Sequence, residues 1–380
     1  MPISSKHTHV AAEHGVVTSF PGEFFGYFGW PSITRMDDGT LCVAASGLRN
    51  THVCPFGRSV LMTSTDEGRS WTSPRVVNDS PLDDRDTGLV SLGNGKLLMS
   101  WFVTDNRQSS MKKIDDLKDQ EQKMRWREGF ARMTDENAAH WAGAWVRYSG
   151  DGGMTWDAPV NVPLTTPHGP IRLQSGELLF FGKPYGNMAK LVQGDGKIAA
   201  MRSADDGRTW AMLGSVPLYP KTVEGNYHEP HVVELSDGKL IGLIRFQGKA
   251  DAPHSLDDLD LINFSLMQTE STDGGQTWTP VTPLPFHGSP PHLLRHSSGL
   301  LVCVYGYRLK PYGQRAMISR DQGQNWETDY ILRDDGPDSD LGYPSSVEMD
   351  DGSIFTVYYQ KPASVEDKCA VLWTRWRLDT

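Results

Sequence analysis

The chain has 380 residues, with 37 Lys and Arg against 47 Asp and Glu, so its formal net charge is −10. An acidic chain of this kind lacks the basic surface that nucleic-acid binding requires, and no run of about 18 apolar residues indicates a membrane span. We therefore expect neither a nucleic-acid partner nor a membrane partner. The 38 Gly, 24 Pro, 12 Trp, 12 Tyr and 13 Phe are typical of an all-β fold with short strands and many turns.

The N-terminal segment has no basic start followed by an apolar stretch, so it does not resemble a secretory signal. A cytoplasmic location is expected, or a periplasmic or secreted one if a signal has been removed. The four cysteines show no CxxC spacing. Cys42 and Cys303 lie in apolar, strand-like runs and are expected to be buried free thiols.

A motif of the form S-x-D-x-G-x-x-W occurs five times along the chain. Its copies are Ser64–Trp71, Ser149–Trp156, Ser203–Trp210, Ser271–Trp278 and Ser319–Trp326. The Asp is suited to accept backbone N–H bonds in a tight turn, and the Gly to adopt a positive φ. The Trp is expected to pack beneath the turn and anchor a hairpin.

A second repeat consists of a turn glycine followed by an apolar run, which predicts a hairpin feeding a buried strand. It occurs six times, at Gly39, Gly95, Gly176, Gly238, Gly299 and Gly352. Six such units favour a six-bladed β-propeller, and the alternative is a β-sandwich with repeated hairpins. One interval, of 81 residues, is longer than the others.

The long interval contains a charged segment, residues 105–140, whose only glycine is Gly129 and whose composition favours helix. We predict a helical insertion between two strands of blade two. It is interpreted either as a lid or oligomer contact on one propeller face, or as a solvated decoration.

The segments that precede the six hairpins are expected to converge on the propeller axis, because the innermost strands begin there. They are rich in ionisable groups. The residues expected to line this space are Asp86, His168, Glu229, His231, His292 and Tyr343. This enrichment favours an active site over an inert scaffold.

The five S-x-D-x-G-x-x-W motifs are the Asp-boxes of the sialidase (neuraminidase) superfamily, which the chain resembles over nearly its full length. The resemblance implies one six-bladed propeller domain spanning residues 1–380, with its active site at the axis. Asp-boxes lie at the periphery of that fold, so they indicate the fold and say little about the chemistry.

The resemblance also implies catalytic roles. Tyr343, in the segment GYPSSV, matches the tyrosine nucleophile of the family, and Glu229, in EPHVVELSDG, matches the base that activates it. The pairing is chemically sensible, because a phenol with a pKa near 10 needs a carboxylate within hydrogen-bond reach.

Substrate contacts follow from the same resemblance. The family clamps the substrate carboxylate with three arginines, and Arg245 and Arg315 fall on the second and third, with Arg308 as an alternative to Arg315. Arginine suits this role because it pairs with carboxylates through two parallel hydrogen bonds. Arg49 and Asp86 resemble residues that contact sugar hydroxyls.

Two family positions are not matched. Gly29 stands where the first clamp arginine is expected, and no carboxylate stands where the family has its acid/base Asp, near His52. His52 or an acidic residue near Asp86, such as Asp83 or Asp84, is the candidate proton donor.

The axial histidines His168, His231 and His292 are expected to contact sugar or transfer protons. A metal would need at least three converging ligands, and no HxH or HExxH spacing supports one. We therefore expect no metal and no cofactor.

These features predict a sialidase-like, retaining exo-glycoside hydrolase that acts on a terminal acidic sugar, with a carbohydrate as its partner. The first alternative is a propeller lyase that cleaves uronate-containing polysaccharides, in which Tyr and His act as base and acid. The second is a non-catalytic glycan-binding propeller. The residues leave the sugar, the linkage and the oligomeric state open.

Overall fold

The repeated glycine hairpins each connect two neighbouring strands of a sheet. The computed structural model describes residues 3–192 and 198–378. Within that part of the chain the strands form six sheets arranged as the blades of a β-propeller, so the predicted all-β, six-bladed fold is confirmed. In each blade the strand that precedes the glycine turn is the innermost.

The strands are numbered in chain order. The first two strands of the chain are β1 (Ile3–His9) and β2 (Ala12–Thr18). Blade one holds β3 (Tyr27–Arg35), β4 (Leu41–Arg49), β5 (Arg58–Ser64) and β6 (Arg75–Asn78). Blade two holds β7 (Asp83–Gly93), β8 (Lys96–Thr104), β9 (Gly143–Ser149) and β10 (Val160–Val162). Blade three holds β11 (Leu164–Thr165), β12 (Ile171–Arg172), β13 (Leu178–Pro184), β14 (Ala199–Ser203) and β15 (Ala211–Ser215).

Blade four holds β16 (Tyr227–Glu234), β17 (Leu240–Phe246), β18 (Ser265–Ser271) and β19 (Thr282–Leu284). Blade five holds β20 (Pro291–Arg295), β21 (Leu301–Tyr307), β22 (Tyr312–Ser319) and β23 (Trp326–Gly336), and β1 pairs in parallel with β23. Blade six holds β24 (Gly342–Glu348), β25 (Ile354–Gln360) and β26 (Ala370–Trp376).

The ring is closed by the N-terminus, because β2 pairs antiparallel with β26 and supplies the fourth strand of blade six. In the other five blades, the Asp-box is the turn between the two strands of the outer hairpin, which are the last two of the blade in chain order. In blade six these two strands come from opposite ends of the chain. This explains why six blades carry only five Asp-boxes.

The Asp-box turns have the predicted geometry. In the first box, Asp66 accepts hydrogen bonds from the Ser64 hydroxyl at 2.8 Å and from the Ser70 N–H at 2.9 Å. Gly68 has a φ of +85°, and the Trp71 indole donates to its carbonyl at 3.1 Å. The Asp side chain therefore accepts hydrogen bonds from donors of the turn, and the Trp indole anchors the same turn.

Three helices lie between β8 and β9: α1 (Arg107–Asp116), α2 (Gln120–Ala131) and α3 (Asp135–Trp141). Trp126 and Phe130 of α2 are buried in one hydrophobic cluster with Phe56 and Trp101 of the neighbouring blades. This packing ties the helices to blades one and two and argues against a solvated decoration. Among the described residues, no helix has the length and apolar character of a membrane span. The four cysteines are free and buried.

The closing strand is expected to be sensitive to side-chain size at Gly15, since a Cβ there would lie 2.4 Å from the ring of Trp373. That ring is stacked on Phe355 and has little room to move. We predict that Gly15→Val lowers the free energy of unfolding by about 1–3 kcal/mol, as overpacking does. Thermal or urea unfolding measures this, with Glu13→Val, at an exposed position of the same strand, as the control. Equal stability of the two variants would contradict the closure described here.

Candidate active site

Four residues at the start of the innermost strands have left-handed backbones. They are Trp30, Asp86, Glu229 and Tyr343, with φ between +46° and +52°. Each lies at a β-bulge, where two residues of the inner strand face one residue of the next strand. Bulges re-aim side chains, and strained non-glycine residues cluster at functional sites.

The local sequence favours these bulges. Trp30, Glu229 and Tyr343 are each followed by a proline, which has no N–H to donate to the strand ladder. In blade three, Gly169 has the left-handed conformation (φ +75°) and precedes Pro170. A Cβ on Gly169 would approach the Ser100 hydroxyl to 2.7 Å, so this blade presents no side chain at the corresponding position.

Tyr343 and Glu229, the predicted nucleophile and base, are in direct contact. The Tyr343 hydroxyl donates to Glu229 Oε1 at 2.6 Å. Arg245 joins both groups, because its Nη1 donates to Glu229 Oε2 and, at 3.1 Å, to the Tyr343 oxygen. Its Nη2 donates to Gln247 Oε1 at 2.7 Å. The three predicted residues thus form one hydrogen-bonded unit between blades four and six.

Before any reaction, the charges in this unit favour a protonated Tyr343 phenol and an ionised Glu229 carboxylate. Burial would raise the pKa of Glu229, but the Arg245 charge and the Tyr343 hydrogen bond outweigh it and lower that pKa. Burial and the Glu229 charge raise the pKa of Tyr343 well above its usual value. An ionised carboxylate is therefore placed to take the phenol proton when an electrophile approaches.

Asp86 is the second carboxyl group of the site. Its side chain is buried. Burial raises its pKa to about 7, and the Glu229 charge contributes to the rise. Oδ1 of Asp86 has no hydrogen-bond partner among the described residues. A protonated carboxyl with a free oxygen can donate a proton to a bound ligand.

Arg308, rather than Arg315, accompanies Tyr343. The Arg308 guanidinium carbon lies 5.6 Å from the Tyr343 ring centre, and its charge lowers the pKa of both Tyr343 and Glu229. Arg315 lies on β22, pairs with Asp329 at 2.9 Å and packs over the ring of Tyr307. The third-clamp position expected for Arg315 is therefore better filled by Arg308.

Arg49 has different surroundings from those expected of a sugar contact. It is fully buried and forms an ion pair of 2.6 Å with Asp83. Its Nη1 also donates to the Ser46 hydroxyl, its Nη2 to the His52 carbonyl and its Nε to the Thr51 carbonyl. Because every guanidinium nitrogen of Arg49 has a hydrogen-bond or ion-pair partner, Arg49 stabilises the loop that follows β4. Asp83 takes part in the same network through its ion pair with Arg49.

Asp84 is likewise buried away from the reacting groups. Its Oδ2 accepts hydrogen bonds from Asn78 and from the Ser80 N–H, both at 2.9 Å. Burial raises the pKa of Asp84 to about 6 and its Oδ1 has no hydrogen-bond partner among the described residues, as for Asp86. The Asp84 charge acts on Arg147 of β9, however, whereas the Asp86 charge acts on Tyr343, so Asp84 is the poorer candidate for the proton donor.

His52 is oriented by two partners. Its Nδ1 lies 2.8 Å from Asp340 Oδ1 and 3.0 Å from the Tyr27 hydroxyl. Its ring contacts Trp30 at 4.9 Å, and Trp30 in turn contacts Tyr343 at 6.3 Å. Burial lowers the pKa of His52, so this imidazole carries a proton to donate less often near pH 7 than a free histidine does.

The missing clamp arginine has a steric explanation. A Cβ at Gly29 would lie 3.3 Å from the Tyr27 ring and 3.9 Å from the Tyr359 ring. These two tyrosines, with Trp30, form an aromatic wall beside Tyr343. The buried Tyr359 hydroxyl has no hydrogen-bond partner among the described residues.

The three axial histidines contact one another. The rings of His231 and His292 stack at 4.3 Å, and His168 meets them edge-on at 5.7 and 5.0 Å. Nδ1 of His231 accepts the Leu293 N–H, and burial lowers the pKa of His231 to about 3. In residues 3–192 and 198–378, no group of three or more His, Cys, Asp and Glu side chains is arranged to hold a metal. These contacts favour a packing role, and sugar contact by the histidines stays a prediction.

Several site residues were missed from the sequence. Arg85, whose guanidinium lies 4.3 Å over the Trp30 ring, directly precedes Asp86, and that adjacency was an available signal. Asp340 lies three residues before Tyr343, but nothing in its surroundings marks it as the partner of His52. Tyr359 reaches the site only through the pairing of β25 with β24.

The sequence model of the BNR repeat-like domain family matches residues 134–356, which is more than half of the chain. The chain belongs to this family. With its six blades it is a sialidase-like BNR propeller of divergent sequence. No curated protein matches the chain.

Solved structures share the fold at low identity. A Dyadobacter fermentans protein of unknown function is 22% identical, with a TM-score of 0.71, over 96% of this chain and 98% of that one. A Trypanosoma rangeli sialidase in complex with sialic acid is 16% identical, with a TM-score of 0.60, over 98% of this chain and 59% of that one. A Penicillium chrysogenum α-L-arabinanase complexed with arabinobiose is 13% identical, with a TM-score of 0.58, over 97% and 98%.

The buried histidines predict a stability loss in acid. The pKa of His231 is about 3 in the fold against 6.5 for a free imidazole, so the unfolded chain binds more protons below pH 6.5. The contribution of His231 to the free energy of unfolding is greatest above pH 6.5, and it decreases as the pH drops towards 3. From His231 alone we expect a loss of about 2 kcal/mol between pH 8 and pH 5.

Urea unfolding at both pH values checks this. His231→Gln, whose amide oxygen can accept the Leu293 N–H, should lose less stability between pH 8 and pH 5 than the unsubstituted chain. His254→Gln, at an exposed position, is the control and should behave like the unsubstituted chain. An unaltered pH dependence in His231→Gln would refute the assignment.

Proposed function

We propose that this protein is a retaining exo-glycoside hydrolase that releases a terminal acidic sugar from a glycan. The observation that carries the proposal is the 2.6 Å hydrogen bond from the Tyr343 hydroxyl to Glu229, with Arg245 bound to both. A phenol, a carboxylate base and a guanidinium at one buried point form an activated nucleophile. Sialidases with a Tyr nucleophile are a known exception to the two-carboxylate pattern of glycosidases.

In the first step, the Tyr343 oxygen attacks the anomeric carbon and forms a C–O bond while the bond to the leaving group breaks. Glu229 takes the phenol proton, and Asp86 gives its proton to the departing oxygen. In the second step, ionised Asp86 takes a proton from water, the water oxygen attacks the anomeric carbon, and the bond to Tyr343 breaks. Glu229 returns the proton to the phenolate, so the enzyme is restored.

The charge of the site supports an acidic sugar. Arg245 and Arg308 flank Tyr343, and Arg85 lies beside Asp86 over Trp30. Guanidinium groups bind carboxylates through paired hydrogen bonds. The T. rangeli sialidase was solved with sialic acid and the P. chrysogenum arabinanase with arabinobiose, so in both proteins this fold holds a sugar. Because the aromatic wall at Gly29 replaces the first clamp arginine, the proposal covers sialic acid and other sugar acids alike.

The first test is turnover by the unsubstituted chain and Tyr343→Phe on fluorogenic α-ketosides and uronides. Removal of the nucleophile should lower kcat at least about a thousandfold. An activated fluorosugar should leave its sugar on the Tyr343 peptide, as read by mass spectrometry. Tyr330→Phe is a matched control, because Tyr330 also donates to a carboxylate, Glu327 at 2.7 Å, but on an outer strand. Unimpaired turnover by Tyr343→Phe would reject the mechanism.

The second test concerns the proton donor. With a pKa of about 7, Asp86 is protonated below neutrality, so kcat/KM for sugars with a poor leaving group should fall above about pH 7. Asp86→Asn should lower kcat/KM for such substrates by about 10²–10⁴ and for activated aryl glycosides far less. It should also remove the alkaline fall. If His52→Gln shows this leaving-group dependence and Asp86→Asn does not, His52 is the donor.

A polysaccharide lyase is the second candidate, and the His52–Asp340 pair is the observation that favours it. A neutral imidazole held by a carboxylate can abstract a proton beside a uronate. An unsaturated product, seen by ultraviolet absorbance near 235 nm, would assign the protein to that class. Release of a saturated free sugar would exclude it for the substrate tested.

A further inference from the structure

The guanidinium group of Arg85 has an unused hydrogen-bonding edge in the candidate active site. Its Nη1 makes two long contacts, at 3.3 Å to the His52 carbonyl and at 3.5 Å to Asp83 Oδ2. Among the described residues, its Nε and Nη2 have no hydrogen-bond partner, and neither atom is buried. These two nitrogens form one edge of the guanidinium, and their N–H groups can pair with both oxygens of a carboxylate.

Arg49 provides a contrast within the same site. Both guanidinium groups lie over the Trp30 ring, that of Arg85 at 4.3 Å and that of Arg49 at 5.0 Å. The Arg49 side chain is fully buried and its nitrogens are engaged, whereas the Arg85 side chain is 13% exposed. A buried cation with engaged donors stabilises the fold. An accessible cation with an unused edge is suited to bind a ligand.

Arg85 borders the reacting groups on two sides. The Trp30 ring beneath it contacts the Tyr343 ring at 6.3 Å. On the other side, Asp86 is the next residue of the chain, and the Arg85 charge is the first effect that opposes the rise of its pKa by burial. Burial, the Glu229 charge and then the Asp86 charge raise the pKa of Tyr343. One group therefore separates Arg85 from the Tyr343 phenol, and Arg85 lies beside the proposed proton donor.

The two arginines beside Tyr343 have no such edge available. Arg245 directs Nη1 to the reacting pair and Nη2 to Gln247, and its Nε is a buried atom. Arg308 uses both Nε and Nη2 on the Leu341 carbonyl, at 3.1 and 2.8 Å. The edge that is unused in Arg85 is thus occupied or buried in both.

The position of the carboxylate distinguishes two classes of acidic sugar. In a 2-keto sugar acid such as sialic acid, the carboxylate is bonded to the anomeric carbon, so it would lie directly beside the Tyr343 oxygen. In a uronic acid, the carboxylate is bonded to C5, and the ring oxygen separates C5 from the anomeric carbon. A cation that is one group away from Tyr343 fits the second class.

We propose that the Nε–Nη2 edge of Arg85 binds the carboxylate of a uronic acid, so that the enzyme is an exo-acting uronidase and not an α-ketosidase. The inference rests on the proposed function, because it names the sugar that the reaction releases. It places the recognition of the acidic group in blade two, beside the proton donor.

The variant Arg85→Gln tests this with matched substrates. Aryl glucuronides and galacturonides of both anomers are compared with the aryl glucosides and galactosides that differ from them only at C6. The ratio of kcat/KM, uronide over neutral sugar, should fall at least about tenfold in Arg85→Gln, because hydrogen bonds to a charged group are lost. A shifted Asp86 pKa would affect both substrates alike and cancel in the ratio. Arg85→Lys, which keeps the charge without the paired edge, should give an intermediate ratio.

Arg208→Gln is the matched control. Arg208 also lies over an aromatic ring, that of Tyr148 at 4.2 Å, but it belongs to the Asp-box of blade three. Its substitution should leave the ratio unchanged. A ratio in Arg85→Gln equal to that of the unsubstituted chain would overturn the inference, because a purely structural role of Arg85 affects both substrates alike.

A second measurement needs no turnover. In titration calorimetry, glucuronic or galacturonic acid should bind the unsubstituted chain and Arg208→Gln, and should bind Arg85→Gln at least about tenfold more weakly. Absence of binding by both uronic acids, or equal binding to Arg85→Gln, would overturn the inference. Hydrolysis of an aryl sialoside with a higher kcat/KM than every uronide would also overturn it and keep the proposed function. Uronic acid binding weakened in Arg85→Gln, together with no hydrolysis of any glycoside, would keep the Arg85 site and reject the proposed function.

Discussion

The site depends on a left-handed bulge at the start of four inner strands. Without it, the period-two alternation of a strand would point Trp30, Asp86, Glu229 and Tyr343 to one or other face of the sheet, as for any other strand residue. Each left-handed non-glycine residue costs of order 1–3 kcal/mol. The conformation persists because the strand is paired and buried on both sides of every bulge. The strain is confined to the positions that present the reactive side chains.

The second constraint is electrostatic, and it divides two carboxyl groups into different protonation states. Glu229 lies against Arg245 and stays ionised, whereas Asp86 is buried without such a direct partner and holds its proton up to about pH 7. The Glu229 charge itself helps to raise the pKa of Asp86. Two carboxyl groups of one site therefore differ in protonation below about pH 7, because their surroundings push the two pKa values apart.

The features that could be predicted from sequence were local or repeated. The Asp-boxes and glycine hairpins encode turns within a few residues, and their repetition predicted the propeller. Tyr343 and Glu229 followed because they begin inner strands, which meet at the axis in this fold. Arg308 and Arg315 could not be separated from sequence, because both lie close to the turn between β21 and β22 and only the fold shows that Arg308 lies beside Tyr343 while Arg315 pairs with Asp329. Tyr27, two residues earlier on the same strand, and Tyr359, on a strand distant in sequence, fill the space at Gly29, and no local pattern reports the contact with Tyr359.

In the loop after β4, charged side chains fix the backbone and the His52 ring in one conformation. Arg49 and Arg85 both donate to the His52 carbonyl, at 3.1 and 3.3 Å, while Asp340 and Tyr27 hold the His52 ring.

Arg49 is neutralised by Asp83, which also accepts a hydrogen bond from Asn106 at the start of α1. A buried ion pair contributes little net stability, but loss of one partner leaves an uncompensated charge, so the pair ties its neighbours to a single arrangement. Through Asp83, blade one, blade two and the insertion share that arrangement. The start of α1 and the Arg49 guanidinium over the Trp30 ring are therefore held by the same buried ion pair.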